Sequence, residues 1–384
     1  MAKLGDVCTV VSGTTPKSSC PDYWNGTINW VTPAELTDDT DTIFESQRKI
    51  TELAVSDSGL KAFPAGTVLL SSRAPIGKVA IAGREMYCNQ GFKNLICSDA
   101  IYNRYLFHFL KSKTDYLNSL GRGATFKEIS KNIVEKIEIP LPPLEEQRQI
   151  ASVLDKVTNL IAKRRAQLNK LDLLVKSRFV EMFGDCKTNP KGWPVCKLSE
   201  IAEVGSSKRV FVEELQNSGI PFYRGTEVGA LAEGKCIIPE LYITKEHYEE
   251  LCAMGGTPKN GDLLMPSICP DGRIWMVNAD SPFYFKDGRV LWIHDISDRF
   301  DSIFLLYTLK DRITTDYSSI ASGTTFAELK IFALKQCLVF DVPLTQQKKF
   351  AVFVNKAERL KAKVNLSLDK LEILKKSLTQ QYFG

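Results

Sequence analysis

The sequence predicts a mixed α/β (α+β) chain: two globular blocks joined by two long antiparallel helices that form a coiled coil, with an internal pseudo-twofold repeat. Three observations carry this. From Pro142 to Gly184 the apolar residues fall at Ile150, Leu154, Val157, Ile161, Leu168, Leu171 and Val175, so steps of three and four persist for about 40 residues. Displaced by about 200 residues, the chain matches itself without a gap from Gly123–Gly184 to Gly323–Gly384, with about 20 identities in 62 positions. A globular block of about 160 residues separates the two helices, which makes an antiparallel pair the natural geometry.

The first block, 1–141, is rich in short strands. KLGDVCTVVSGTTPK is an apolar stretch ending in a Gly-Thr-Thr-Pro turn, and INWVTPAELTDD is a strand running into a polar turn that starts a helix at Pro33. FPAGTVLLSSRAPIGKVAIAG holds a buried strand (Thr67 to Leu70), a polar turn and a second strand (Lys78 to Ala82). In MYCNQGFKNLIC the turn is Asn89-Gln90-Gly91. An amphipathic helix follows from Tyr102 to Leu120, then a glycine-rich link and a last strand, Lys136 to Ile139.

The first long helix occupies 142–184. Pro142 and Pro143 stand where helices tolerate proline, Glu145 and Glu146 suit the positive N-terminal end, and Gly184 is a C′ stop. At about 1.5 Å per residue it is roughly 60 Å long, more than one compact block covers. The second block, 185–342, repeats the layout: KLSEIAEVGSSKRV matches the opening segment, PFYRGTEVG matches INWVTPAEL, GDLLMPSICPDGRIWMV matches AGTVLLSSRAPIGKVAI, and FKDGRVLWI matches CNQGFKNLI. The second long helix, 343–384, carries its seam at Phe350, Phe353, Ala357, Leu360, Val364, Leu368, Leu371, Leu374 and Leu378. The identities across the repeat include Gly123/Gly323, Phe126/Phe326, Glu128/Glu328, Pro143/Pro343, Leu144/Leu344, Gln147/Gln347 and Phe183/Phe383. Helices and flanks stay alike while the blocks keep a layout and change their polar residues, as expected of two different binding surfaces on a common frame.

This arrangement, with PLPPLEEQRQIASVLD and the SSRAPIGKVAI and CNQGFKNL segments, strongly resembles the specificity (S) subunit of type I restriction-modification enzymes across essentially the whole chain. The resemblance implies that each block is a target-recognition domain reading one half of a split double-stranded DNA site. It implies that the helices space the halves and dock two modification (methyltransferase) subunits, which restriction subunits join. It places S-adenosylmethionine on the modification subunit and no cofactor on this chain. The second copy departs from the first, with FDVPLTQQ in place of IPLPPLEEQ, which bears on whether the two partners dock alike.

Composition fits a cytoplasmic protein: 44% apolar and 25% charged residues, net charge +5, no apolar run of membrane-spanning length, and a start, Met1-Ala-Lys-Leu-Gly, without a signal peptide's core. Ten cysteines lack metal spacing and read as reduced thiols, Cys8, Cys88, Cys97 and Cys337 as small core residues. No catalytic constellation is present. Pro75-Ile76-Gly77-Lys78 lacks the Ser/Thr of a phosphate loop, His108, His247 and His294 lie in unrelated segments, and Asp22 and Asp271 have no Glu-x-Lys behind them. The chain therefore reads as a non-catalytic, non-metal recognition subunit. A methyltransferase or nuclease with unrecognised motifs and a coiled-coil scaffold without a DNA role are the competing classes.

Sequence readout needs Arg, Lys, Asn, Gln, Ser and Thr on rigid turns. The first block offers Thr14, Thr15, Lys17, Ser71, Ser72, Arg73, Lys78, Asn89, Gln90, Lys93, Arg122 and Thr125. The second offers Ser206, Ser207, Lys208, Arg209, Arg224, Thr226, Ser267, Arg273, Lys286, Arg289 and Thr324 at corresponding places. Trp30, Tyr223 and Trp275 read as core rather than stacking residues. Charges along the helices read as a solvated face. Partner contact is expected at the helix starts: Pro143, Leu144 and Gln147, and Pro343, Leu344 and Gln347.

Overall fold

The computed structural model describes every residue except 38–39, 74, 123–126 and 323–326. It divides into two compact units, Met1–Ala166 with Asn365–Gly384, and Gln167–Val364. The sequence segments 1–141, 142–184, 185–342 and 343–384 do not coincide with these units, because each long helix is shared between them.

In the first unit the strands of the two larger sheets are β1 (Cys8–Ser12), β2 (Trp24–Val31), β3 (Thr42–Ile43), β4 (Lys49–Ile50), β5 (Val68–Leu70), β6 (Val79–Ala82), β7 (Tyr87–Cys88) and β8 (Lys93–Cys97). They form a sheet of order β1-β8-β5-β6-β3 and a smaller one of order β4-β2-β7, in which β2 and β7 run parallel. The period-two alternation of a strand decides what each side buries. Val68, Leu70, Val79, Ile81 and Leu95 enter one core, and Leu69, Ala80, Ala82 and Phe92 enter another. Helix α1 (Asn103–Ser112) covers the first core with Tyr105, Leu106, Phe109 and Leu110. The helix expected from Tyr102 to Leu120 is broken at Lys113 and resumes over Thr114–Leu120. There the hydroxyls of Ser112 and Thr114 donate to the carbonyls of Phe109 and Lys111 (2.6 and 3.1 Å), local bonds that compete with the helical ladder. The expected helix start at Pro33 is a single turn, Pro33–Glu35.

The first long helix, α2 (Leu144–Phe183), begins in this unit. Within the second unit the strands of the two larger sheets are β9 (Glu203–Gly205), β10 (Ile220–Tyr223), β11 (Tyr242–Ile243), β12 (Leu263–Pro266), β13 (Trp275–Met276), β14 (Tyr284–Phe285) and β15 (Val290–His294). Sheet order is β9-β15-β12-β13 beside β11-β10-β14, again with one parallel pair, β10 with β14. This is the order of the first unit without its β3 edge. The same alternation separates Leu263, Met265, Leu291 and Ile293 from Leu264, Val290 and Trp292. Helix α3 (Ser302–Ile320) follows these sheets, and the second long helix is α4 (Leu344–Phe383).

Each unit contains the start of one long helix and the end of the other, running antiparallel. In the first, Ile150, Ala151 and Leu154 share a core with Leu378 and Phe383, and further along Arg165 pairs with Glu372 at 3.0 Å. In the second, Phe179 and Phe183 meet Phe350 with ring centroids 5.5 Å apart, and Asp172 pairs with Lys361 at 2.5 Å. Burial follows a heptad. On α4 it runs through Phe350, Val354, Ala357, Lys361, Val364, Leu368, Leu371, Lys375 and Leu378, all buried or half-buried. Leu360 and Leu374, expected on the seam, are about half exposed (51% and 45%). Two lysines hold their places because long aliphatic stems can lie along a seam with the ammonium at its edge.

Gln147 and Gln347, expected at a partner surface, are fully buried instead. Gln147 accepts from the Tyr102 N–H (2.8 Å) through Oε1 and donates through Nε2 to the carbonyls of Ala100 (3.0 Å) and Pro142 (2.9 Å). Gln347 repeats this with the Asp301 N–H (2.8 Å) and the carbonyls of Arg299 (3.0 Å) and Val342 (2.7 Å). Each amide closes a helix start against the residue that caps the neighbouring α1 or α3, satisfying three backbone groups that the fold hides from water.

Replacing Gln147 or Gln347 by Ala leaves one N–H and two carbonyls unpartnered, so each variant is expected to lose about 3 kcal/mol of stability in denaturant unfolding. A loss below about 0.5 kcal/mol would show that the amide is dispensable. A second expectation concerns His108 of α1, whose Nε2 lies 2.7 Å from Asp155 Oδ1 on α2, with Arg104 on the same carboxylate and on Asp41. Burial pushes the imidazole below its ordinary range, and the Asp155 bond does not fully offset that. The unfolded chain then takes up this proton at higher pH than the folded one, so stability falls as pH drops through about 6.5. Asp155, pushed up by burial but held below its usual range by His108 and Arg104, adds to the loss at lower pH. Melting temperature should fall from pH 7.5 to pH 5.5, and less steeply in His108→Gln.

Candidate nucleic-acid interface

The turn residues proposed for readout fall into clusters set by the strand pairing. In the first unit β1 and β7 bring their following turns together: the Thr14 N–H donates to the Cys88 carbonyl (3.0 Å), and the Thr15 hydroxyl donates to Gln90 Oε1. Thr14, Thr15, Lys17 and Gln90 are exposed, and Asn89 is half-buried with Oδ1 accepting from the Gly91 N–H (2.9 Å). The second cluster surrounds Glu128. Arg73 donates to it from Nε (3.0 Å), Lys93 from Nζ (3.1 Å), and the Arg122 backbone pairs with the Glu128 backbone (3.0 and 2.9 Å). Arg73 and Arg122 are exposed and Lys78 is half-buried.

Three of the first set are corrected by burial. Ser71 and Ser72 are fully buried, and Lys93 is 7% exposed. The Ser71 hydroxyl donates to the Pro75 carbonyl (2.7 Å) and accepts from the Lys78 N–H (2.8 Å), so it shapes the turn. Lys93 also reaches the Ser72 hydroxyl (3.4 Å), spending its charge inside. Thr125 lies outside the described residues, as does Thr324.

In the second unit Arg224, Thr226, Ser267, Arg273, Lys286 and Arg289 line one cavity of about 700 Å³, whose other walls include Val212, Leu215, Phe222, Leu241, Pro266 and Ile268. Ser267 is buried: its side chain lies in that wall and its backbone pairs with Arg289 and Leu329, so it belongs to the frame. The cations are tied to acids: Arg224 to Glu227 and Glu240, Arg273 to Asp271 (2.8 Å), Arg289 to Glu328, Lys286 to Asp287 (3.6 Å). Burial pushes the Glu227 carboxyl up, but the Arg224 guanidinium and two N–H donors hold it at about 2. Ser206, Ser207, Lys208 and Arg209 form a separate strip after β9. Ser206 donates to the Val290 carbonyl (2.7 Å), Ser207 to the Phe285 carbonyl (2.6 Å), and Arg209 to Asp287 (3.1 Å). Trp30 and Trp275 are buried, and Tyr223 stacks on Phe283 at 5.0 Å, so the three aromatics belong to cores.

The sequence reading missed the acids. Glu128, Glu227, Asp287 and Glu328 orient most of the cations named, and only the recurrence of Glu128 as Glu328 signalled it.

At the helix starts Pro143 and Pro343 are exposed and Leu144 and Leu344 half-buried. A groove of about 540 Å³ in the first unit is lined by Pro143, Glu145, Glu146, Gln149, Ile150, Val153 and Tyr382. Among the described residues no group of His, Cys, Asp and Glu side chains is placed to hold a metal ion, and no helix is long and apolar enough to cross a membrane.

A family model described as the type I restriction modification DNA specificity domain matches residues 1–172. The type I restriction enzyme MjaIX specificity subunit of Methanocaldococcus jannaschii is 33% identical over 377 residues, covering 91% of this chain and 84% of that one. The MjaVIII specificity subunit of the same organism is 29% identical over 311 residues, covering 75% and 68%. In fold the chain is similar to the S subunit of a type I restriction-modification system from M. genitalium, with a TM-score of 0.58 at 14% identity over 100% of this chain and 95% of that one. It is also similar to a chain from a structure describing complex assembly and conformational transition of the type I R-M system, with a TM-score of 0.60 at 18% identity over 99% and 96%.

Proposed function

Because the chain belongs to the family of type I restriction-modification DNA specificity subunits, we propose that its two units read the two halves of a bipartite double-stranded DNA site. The observation that carries this is the recurrence of one sheet order in both units, with polar and cationic turns at matching stations and different residues at each. A shared frame with changed side chains is what two heads of different sequence preference require. In the first unit Thr15, Lys17, Arg73, Gln90 and Arg122 are the proposed contacts. In the second they are Lys208, Arg209, Arg224, Thr226, Arg273, Lys286 and Arg289. Exposure and hydrogen-bonding capacity support these choices.

The helices are proposed to set the separation of the half-sites, about one duplex turn or roughly 34 Å centre to centre, leaving an unread spacer. The Pro143-Leu144 and Pro343-Leu344 corners, with their prolines exposed, are proposed to dock two modification subunits, with restriction subunits joining that assembly. The groove behind Pro143 supports the first of these. The methyl donor, S-adenosylmethionine, then binds the modification subunit, and this chain transfers no methyl group itself.

Substituting Arg73 or Gln90 by Ala should relax readout at one half-site only, by about 1–3 kcal/mol at the affected base, measured by binding to a panel of single-base variants of the site. Loss of discrimination in both halves would contradict independent heads. Seven residues inserted in one long helix should change the selected spacer and leave both half-site sequences intact. A changed half-site sequence would contradict the spacer role. Binding with a weak salt slope and no sequence preference would favour the scaffold reading, and methyl transfer or magnesium-dependent cleavage by the chain alone would favour an enzyme.

A further inference from the structure

Glu128 and Glu328 are the same position of the repeat, and the structure treats them alike. The following residue is pinned in both units to the turn after a central strand: the Ile129 N–H donates to the Ser72 carbonyl (2.9 Å), and the Leu329 N–H to the Ser267 carbonyl (2.8 Å). Each carboxylate then holds two cations. Glu128 accepts from Arg73 Nε and Lys93 Nζ, at 3.0 and 3.1 Å. Glu328 accepts from Arg289 Nη1 and from Lys330 Nζ, the latter at 2.7 Å. In both cases the acid is recessed and the guanidinium stands out: the Glu side chains are 34% and 21% exposed, and those of Arg73 and Arg289 are 45% and 62%.

The arginines nonetheless come from different stations. Arg73 follows β5, whereas Arg289 precedes β15, where the first unit has Gly91. The Ser72 N–H donates to the Gly91 carbonyl (2.7 Å), and the Ser267 N–H to that of Arg289 (2.9 Å). One repeated acid thus receives a different arginine in each unit. Among the described residues Nη1 and Nη2 of Arg73 make no hydrogen bond, so its two-nitrogen edge is available to a ligand.

We propose that Glu128 and Glu328 are positioning residues for sequence readout, each aiming one arginine, Arg73 or Arg289, at a base edge of its own half-site. The proposal rests on the reading of the two units as DNA readers. A guanidinium tied at one side keeps a fixed fork for bidentate contact with a guanine edge, where an untied one is drawn to the nearest phosphate. The charged state this needs is favoured. Burial pushes the Glu128 carboxyl up, but Lys93 and Arg73 outweigh it and hold it below its usual range, and the bond from Lys330 does the same for Glu328 against its lesser burial.

The test is selection from a randomised duplex library by the full chain co-purified with its modification subunits, comparing the enriched motifs of wild type, Glu128→Gln and Glu328→Gln. The wild type should enrich a two-part motif. Glu128→Gln should lose about tenfold of the preference at one base of one half, keep the other half, and bind a motif-free duplex more tightly at low salt. Glu328→Gln should do the same for the other half. Both motifs unchanged in both variants would overturn the proposal while leaving DNA reading intact, and no motif in the wild type would overturn the reading itself. Should a Gln variant fail to fold, Arg73→Lys keeps the charge and loses the fork. It should lose the same base preference without a change in melting temperature, and an unaltered motif there also overturns the proposal.

Discussion

Neither long helix can bury its own seam, and this constraint organises everything else. A strip of apolar residues sustained over 40 positions has to be covered, and within each unit the covering strip is the opposite end of the other helix. The cores reflect it directly. Phe383 packs against Tyr105 and Phe109 with ring centroids at 5.3 and 5.6 Å, and Phe183 packs against Phe304 at 4.8 Å and Phe350 at 5.5 Å. A repeat-related phenylalanine therefore closes each recognition core from the last turn of a helix, and each core is assembled from segments far apart in the chain. The buried glutamines fix the other end. With three backbone groups on each side-chain amide, the start of a long helix can take only one register against the domain beside it.

Much of this was legible in the sequence because it is periodic or repeated. The seam of α2 shows in its steps of three and four, and the gapless match of 62 residues gives the second helix. Layout matches such as AGTVLLSSRAPIGKVAI with GDLLMPSICPDGRIWMV correspond to equivalent strands, β5–β6 and β12–β13. What escaped was amphipathic or polar. Leu360 and Leu374 look like seam residues and are not, since Lys361 and Lys375 occupy the heptad positions with their stems. A pattern that scores lysine as polar cannot see this. Gln147 looks like surface in a run of Glu and Gln, and only the backbone groups around it, set by tertiary structure, draw it inside.

The candidate site was legible as stations and not as side chains. Turns between strands are recoverable from Gly, Pro, Asn and Ser, but within a turn the chain does not announce which hydroxyl points in. Ser71, Ser72 and Ser267 satisfy buried backbone or wall the fold, while Thr14, Thr15 and Thr226 stay at the surface. Lys93 illustrates the electrostatic part: an ammonium that is nearly buried persists because Glu128 and the Ser72 hydroxyl surround it. A residue-by-residue reading counts it as a DNA contact, and a reading of its partners assigns it to the frame.

The pairing of surface cations with acids has a consequence for discrimination. Free arginines and lysines bind any duplex, since phosphates are everywhere and the gain comes from released counterions. Tying Arg209 to Asp287, Arg224 to Glu227 and Glu240, and Arg273 to Asp271 lowers that indiscriminate attraction by partly neutralising each head group. It also removes rotamer freedom, worth up to about 2 kcal/mol for an arginine, before DNA arrives. Both effects act on the same ratio. For arginines that serve as the proposed contacts, non-specific affinity would fall because charge is compensated, and specific affinity would be retained because less order has to be imposed on binding. The net charge of only +5 then suits a DNA reader whose work is comparison of sites. A strongly basic surface would raise affinity for every duplex equally and leave the choice between them no better.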